Sequence, residues 1–168
     1  MKKCLAVLEG HESSVRHLAL TNDGKSLISV SLDSNIILWK LANNSMIKKY
    51  EFNLPIESII YFTRVINTAN KEIIPYLLIG CENGHIAEFN LKTGSNEYRF
   101  VNYIEQPIVD LFYSTSQKRI YSLTSEQTLL YIDVDIINEI IEKGSLYKLF
   151  PCYCQEILDI RLLDNNSY

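Results

Sequence analysis

Three side chains near the N-terminus have the types needed for nucleophilic hydrolysis: His11, Ser29 and Asp33. In a hydrolase an imidazole takes the Ser proton, a carboxylate orients the imidazole, and backbone N–H groups receive the oxyanion. Ser29 lies within "SLISVS", an apolar run that reads as a buried strand, and no oxyanion donor accompanies it. The trio therefore reads as structural. Cys152-Tyr153-Cys154 is a C-x-C pair with no second pair and no nearby His, whereas zinc wants four ligands. With Cys4 and Cys81 these make four scattered cysteines, too few for a disulfide framework, and they read as reduced thiols of an intracellular protein. The pairs Lys2-Lys3 and Lys48-Lys49 read as solvated strand edges, not phosphate sites. There is no Gly-rich phosphate loop and no nucleophile elbow. The expectation is a chain with no enzymatic activity, no metal, no cofactor and no small-molecule substrate.

The elements that must position these residues follow from composition and pattern. The chain has 168 residues, 47% hydrophobic and 21% charged, as a globular domain does. A net charge of −4 argues against a broad nucleic-acid surface, which needs clustered Lys and Arg. Met1-Lys2-Lys3 is followed by too short an apolar stretch for a signal peptide, and no apolar run approaches the ~20 residues of a membrane helix. A soluble intracellular protein is expected.

Short apolar runs recur between turn residues. Strands are predicted at Cys4–Leu8, Val15–Leu20, Ser26–Ser31, Asn35–Leu41, Met46–Phe52, Ile56–Phe62, Pro75–Gly80, His85–Leu91, Asn96–Asn102, Ile108–Tyr113, Lys118–Leu123, Thr128–Val134, Leu146–Phe150 and Ile157–Leu163. Asn22-Asp23-Gly24, Asn43-Asn44, Asn83-Gly84 and Thr93-Gly94 punctuate them, and such residues supply the positive φ of tight turns. "DIINEIIEKG" (Asp135–Gly144) dissents: Ile136, Ile137, Ile140 and Ile141 are at helical spacing, with Asp before and Gly after. It predicts a short inserted surface helix.

A long-period repeat decides among the all-β folds. "SNIILWKL", "GHIAEFNL" and "QTLLYIDV" superpose, each with an aromatic near its end: Trp39, Phe89 and Tyr131. "VRHLAL", "IESIIYF", "IVDLFY" and "ILDIRLL" form a second series, starting at Val15, Ile56, Ile108 and Ile157. A period of roughly 40–50 residues with four strands per unit predicts propeller blades. The excess length is expected in connectors such as "VINTANKE" (Val65–Glu72).

Gly10-His11, the Asn22-Asp23-Gly24 turn, Ser29-Val30-Ser31-Leu32-Asp33 and Leu38-Trp39 resemble the WD-repeat family. That resemblance implies a structural tetrad in which the Trp39 indole meets Ser29, Ser29 meets His11, and His11 meets Asp33. Leaving any of these buried groups unpaired would cost ~1–3 kcal/mol. In the later units Asn83 and Ser125 match Asp33, and Ile79 and Tyr121 match Ser29. No His precedes Ile56, Ile108 or Ile157. Those units are expected to hold by apolar packing alone, through Phe62, Tyr76, Phe89, Phe112, Tyr121 and Tyr131. The predicted fold is all-β: a partial WD-repeat β-propeller of about three and a half four-stranded blades. Its units span roughly 11–52, 53–101 and 102–150, with the next beginning in 151–168.

Within that family, "CLAVLEGHESSVRHLAL", "LLYIDVD" and "KLFPCYCQEILDIRLL" resemble the N-terminal propellers of the transducin beta-like subunits of the small-subunit processome. In the last run the match is carried by Tyr153, Glu156, Ile157, Leu158, Asp159, Ile160, Arg161, Leu162 and Leu163. Two departures stand out. The Asp135–Gly144 insert is longer than that connector implies. The family members are also far longer, with two tandem propellers and a helical C-terminal domain, so the chain reads as a piece of a larger propeller. The resemblance implies a nuclear, nucleolar scaffold. Its partners would be other processome WD-repeat proteins and the U-three small nucleolar ribonucleoprotein, with RNA contact indirect and no membrane contact. Contact positions expected on the tetrad side are Glu12, Ser13, Leu32, Ser34, Glu57, Glu82 and Asn83. A general WD-repeat adaptor, in signalling or as a ubiquitin-ligase receptor, and a truncated propeller without function are the alternatives.

Overall fold

A computed structural model describes residues 4–67, 72–94, 98–114, 116–117, 119–133 and 150–153. Every helix or strand among them is a β-strand. The first sheet is β1 (Val15–Leu20), β2 (Ser26–Ser31), β3 (Asn35–Lys40) and β4 (Ser45–Glu51). The second is β5 (Ile56–Asn67), β6 (Glu72–Cys81), β7 (His85–Asn90) and β8 (Tyr98–Tyr103). The third is β9 (Ile108–Ser114), β10 (Arg119–Thr124), β11 (Thr128–Asp133) and β12 (Phe150–Tyr153). Each is an antiparallel meander, the build of a propeller blade. β5 packs against β1 on one side and β9 on the other, which makes β1, β5 and β9 the inner strands.

The same tight turn joins the second and third strands of every sheet. Ser34, Gly84 and Gln127 hold φ of 62°, 85° and 62°. Their N–H groups bond back to the carbonyls of Ser31, Cys81 and Thr124 at 3.2, 3.0 and 3.1 Å. At position 84 glycine is obligatory, because a Cβ would lie 1.8 Å from the Ile104 carbonyl oxygen. These turns align the sheets residue by residue. Ser29, Ile79 and Ser122 share one position, Asp33, Asn83 and Glu126 another, and Trp39, Phe89 and Ile132 a third. The third unit thus lies one residue away from the expected match of Tyr121, Ser125 and Tyr131. A slip of one residue moves a side chain to the opposite face of a strand. Ser122 is accordingly buried, while Tyr121 and Tyr131 are half-buried and tilted against each other at 6.1 Å.

Two apolar layers join the blades. Between the first and second sheets, Ile28, Val30, Ile36 and Phe52 meet Ile56, Ile59, Leu77 and Ile79. Tyr50 and Phe52 approach Phe89 edge-on, with centroids 5.5 and 6.2 Å away. The Tyr50 hydroxyl donates to the Leu91 carbonyl at 2.8 Å, so its burial leaves no unmet donor. Cys81 lies in this layer; burial pushes its thiol up to about 12, which keeps it protonated and inert. Leu78, Ile86, Ile108, Leu111, Ile120 and Leu130 fill the layer between the second and third sheets. Each fully buried aliphatic side chain contributes ~1.5–3 kcal/mol of transfer free energy. Of the expected core aromatics, Phe89 and Tyr76 are buried, Phe62 stacks on Tyr76 at 5.7 Å, and Phe112 is half-buried.

Several expected boundaries differ. Cys4–Leu8 is not a strand; Leu5 and Val7 are 90% and 73% exposed. A strand needs a neighbour for its N–H and C=O groups, and no described strand lies beside this one. The excess of the second unit is not a loop throughout. β5 and β6 continue as a long hairpin, with Val65 opposite Ile73 and Asn67 opposite Glu72. β-Branched residues favour that ribbon over irregular chain. The outer strand of the third sheet is Phe150–Tyr153, later than Leu146–Phe150. The helix expected at Asp135–Gly144 and the strand expected at Ile157–Leu163 lie outside the described residues.

Candidate functional site

The sequence 26–40 builds two adjacent antiparallel strands, with Ser29 opposite Ile37 and Leu27 opposite Trp39. Ser29 and Trp39 thereby reach the same side of the first sheet. The segment before β1 lies over that side: a Cβ at Gly10 would stand 3.1 Å from the Trp39 ring and 3.2 Å from Ile37. The missing side chain of Gly10 permits this approach without displacing Trp39 or Ile37, and it delivers His11 to the blade interior.

The structure brings His11, Ser29, Asp33 and Trp39 into one chain of hydrogen bonds. The Trp39 indole N–H donates to Ser29 Oγ at 2.8 Å. Ser29 Oγ lies 2.7 Å from His11 Nε2, and His11 Nδ1 lies 3.0 Å from Asp33 Oδ2. The Asp33 carboxylate can only accept, so the ring proton sits on Nδ1 facing it; in that tautomer Nε2 accepts, and the Ser29 hydroxyl donates to it. Asp33 also accepts the N–H of Glu12 at 2.8 Å and of Asn35 at 2.9 Å. Burial of this carboxyl opposes ionisation, but the two N–H donors and the His11 ring outweigh it and hold Asp33 below its ordinary range. His11 and Asp33 side chains are each 6% exposed. Ser29 is buried with Trp39 and His11 on its oxygen, which leaves no space for a substrate carbonyl. The arrangement cross-links the entering segment, the turn and two strands.

Residues 2–40 match the family model described as WD domain, G-beta repeat. They are a WD40 repeat. All four tetrad residues fall inside the WD40 match, and the all-β fold is that of a partial WD-repeat propeller. WD40 repeats mediate protein–protein interaction and are typically non-enzymatic scaffolds, which fits an occupied Ser29.

The later blades, for which the sequence predicts apolar packing alone, also carry polar bridges. Gln106, before β9, accepts from Thr124 Oγ1 at 2.6 Å and donates to Glu126 Oε2 at 2.7 Å. Glu126 occupies the position of Asp33, so a Gln bridges entering segment and turn where the WD40 repeat uses His11. The second blade keeps a fragment: Asn83 Oδ1 accepts the His85 N–H at 3.3 Å. Ser122, equivalent to Ser29, is fully buried with its hydroxyl unpartnered among the described residues.

The blades are also joined at the third residue of each inner strand: His17, Ser58 and Asp110. The Ile59 N–H donates to His17 Nδ1 at 3.3 Å, and the Leu111 N–H donates to Ser58 Oγ at 3.1 Å. Ser58 donates in turn to Asp110 at 2.7 Å. His17 and Ser58 thus each receive the fourth-residue N–H of the following blade. A common third position in the runs starting at Val15, Ile56 and Ile108 was the signal available in sequence.

The expected contact positions all lie at the end carrying the tight turns. Glu12, Ser13, Glu82 and Asn83 are exposed, and Leu32 and Ser34 are half-buried. Glu57 is already engaged, accepting from Arg16 Nε at 2.6 Å across the first joint. Glu12 has Lys49 at 3.8 Å.

Proposed function

We propose that this WD-repeat scaffold serves the small-subunit processome. In this reading it is a nucleolar propeller piece that holds other WD-repeat subunits in place around the U-three small nucleolar ribonucleoprotein during processing of the small-subunit ribosomal RNA precursor. The supporting observation is "KLFPCYCQEILDIRLL" (148–163), taken with "CLAVLEGHESSVRHLAL" and "LLYIDVD", which resemble the N-terminal propeller of transducin beta-like protein three, the thirteenth U-three small nucleolar RNA-associated protein. Contacts are protein to protein through Glu12, Ser13, Glu82 and Asn83, because an acidic turn face repels RNA phosphates. The test is to tag the endogenous gene, precipitate the product from nuclear extract and probe for U-three small nucleolar RNA. Enrichment of that RNA is expected. A precipitate without it would overturn the processome reading and leave a general WD-repeat adaptor.

A further inference from the structure

The end of the first blade opposite the tight turns carries exposed lysines. There an open groove of ≈ 730 Å³ runs between the β1–β2 and β3–β4 turns. Its floor is apolar: Leu41, Ala42 and Ile47, with Ile47 half exposed. Lys25 and Lys40 form its rim, both exposed. Among the described residues neither ammonium forms an ion pair. Asp23 also lines the groove; its carboxylate accepts from Thr21 Oγ1 at 2.6 Å and from the Lys25 N–H at 3.1 Å within its own turn, and its charge acts on the Lys25 ammonium. Other lysines at this end are occupied: Lys48 lies over the Tyr50 ring at 4.6 Å, and Lys92 pairs with Glu72.

Edge strands often carry lysines to block aggregation, but Lys25 precedes β2 and Lys40 ends β3, and both strands are interior to their sheet. Their placement has no such explanation. Two exposed cations above an apolar floor complement carboxylates flanking one apolar side chain. Among the described residues no aromatic ring lines the groove, so they offer no stacking platform for bases. We propose that this groove docks an acidic peptide segment of a protein partner, one apolar side chain on Leu41, Ala42 and Ile47 and flanking carboxylates on Lys25 and Lys40.

The test titrates the 168-residue chain into fluorescein-labelled ten-residue peptides of Glu and Asp, each with one central Leu, Ile or Phe, and reads anisotropy at low salt. Saturable binding is expected, with a Kd between about 10 µM and 1 mM, as two exposed ion pairs and one anchor allow. The K25E/K40E variant should weaken it roughly tenfold or more, and Ile47→Glu should do so independently. All three positions are exposed, so an unchanged unfolding midpoint shows that each variant remains folded. Peptides with Lys in place of the acids should not bind. The proposal is overturned if no acidic peptide saturates, if K25E/K40E binds as tightly as the parent, or if a uridine oligonucleotide displaces the peptide and binds the same lysines more tightly.

Discussion

The tetrad makes a quantitative claim, because Trp39 and His11 act through one atom. Trp39→Phe keeps a ring in the site but removes the indole donor, so Ser29 Oγ loses its 2.8 Å partner. Loss of a buried hydrogen bond predicts ~1–3 kcal/mol of destabilisation. His11→Ala removes the partner of Ser29 at 2.7 Å and one of three donors to Asp33. A similar loss, ~1–3 kcal/mol, is expected. Once either partner is gone, Ser29 is freer to rotate, so the second deletion removes less. The double variant should therefore lose less than the sum, by about 0.5 kcal/mol or more. Urea unfolding followed by far-UV circular dichroism gives the three differences without relying on Trp39 fluorescence. Losses that add within about 0.3 kcal/mol would mean the two side chains do not share Ser29.

Equivalent serines should respond oppositely: Ser29→Ala should cost ~1–3 kcal/mol, whereas Ser122→Ala, which deletes an unpartnered buried hydroxyl, should be neutral or stabilising in the same urea assay. Gly84→Ala sets a Cβ against the Ile104 carbonyl at 1.8 Å and should lower stability well beyond the ~1–2 kcal/mol of a left-handed residue alone. Gly24→Ala, at φ 65° with open space around it, should cost only that ~1–2 kcal/mol. Asp33 is held below its ordinary range, so its ionised form favours folding. That contribution is complete above the ordinary carboxylate pKa of about 4 and disappears as pH falls through the lower folded value. Urea midpoints at descending pH should therefore fall more for the parent than for Asp33→Asn, and equal falls would contradict it.

The first blade was legible because its polar residues are rare types at fixed places: one Trp, a Gly-His pair and a Ser-x-Ser-x-Asp step. The blade period was legible because apolar runs repeat. The third blade is misaligned by one residue in sequence because Tyr131 looks like the counterpart of Trp39, which puts Tyr121 in the place of Ser29, while its register is set by Gln127, a non-glycine residue at φ 62°. Nothing in the identity of Gln127 announces that angle. Gln106 was missed because a Gln two residues before an inner strand does not look like a His four residues before one, although both bridge entering segment and turn. The β5–β6 ribbon reads as a connector in sequence because Asn67 and Asn70 are turn formers, yet Val65 and Ile73 pair across it. The joints at His17, Ser58 and Asp110 needed neighbouring blades to be placed side by side.

The single Trp of the chain makes the central claim directly measurable. Its indole N–H gives one proton resonance, and hydrogen exchange of that resonance reports whether the donor is buried and bonded to Ser29. The tetrad predicts slow exchange that becomes fast in Ser29→Ala while the Ile36 and Ile37 amides stay protected. An indole proton that exchanges at the rate of a free tryptophan in the folded parent chain would contradict it.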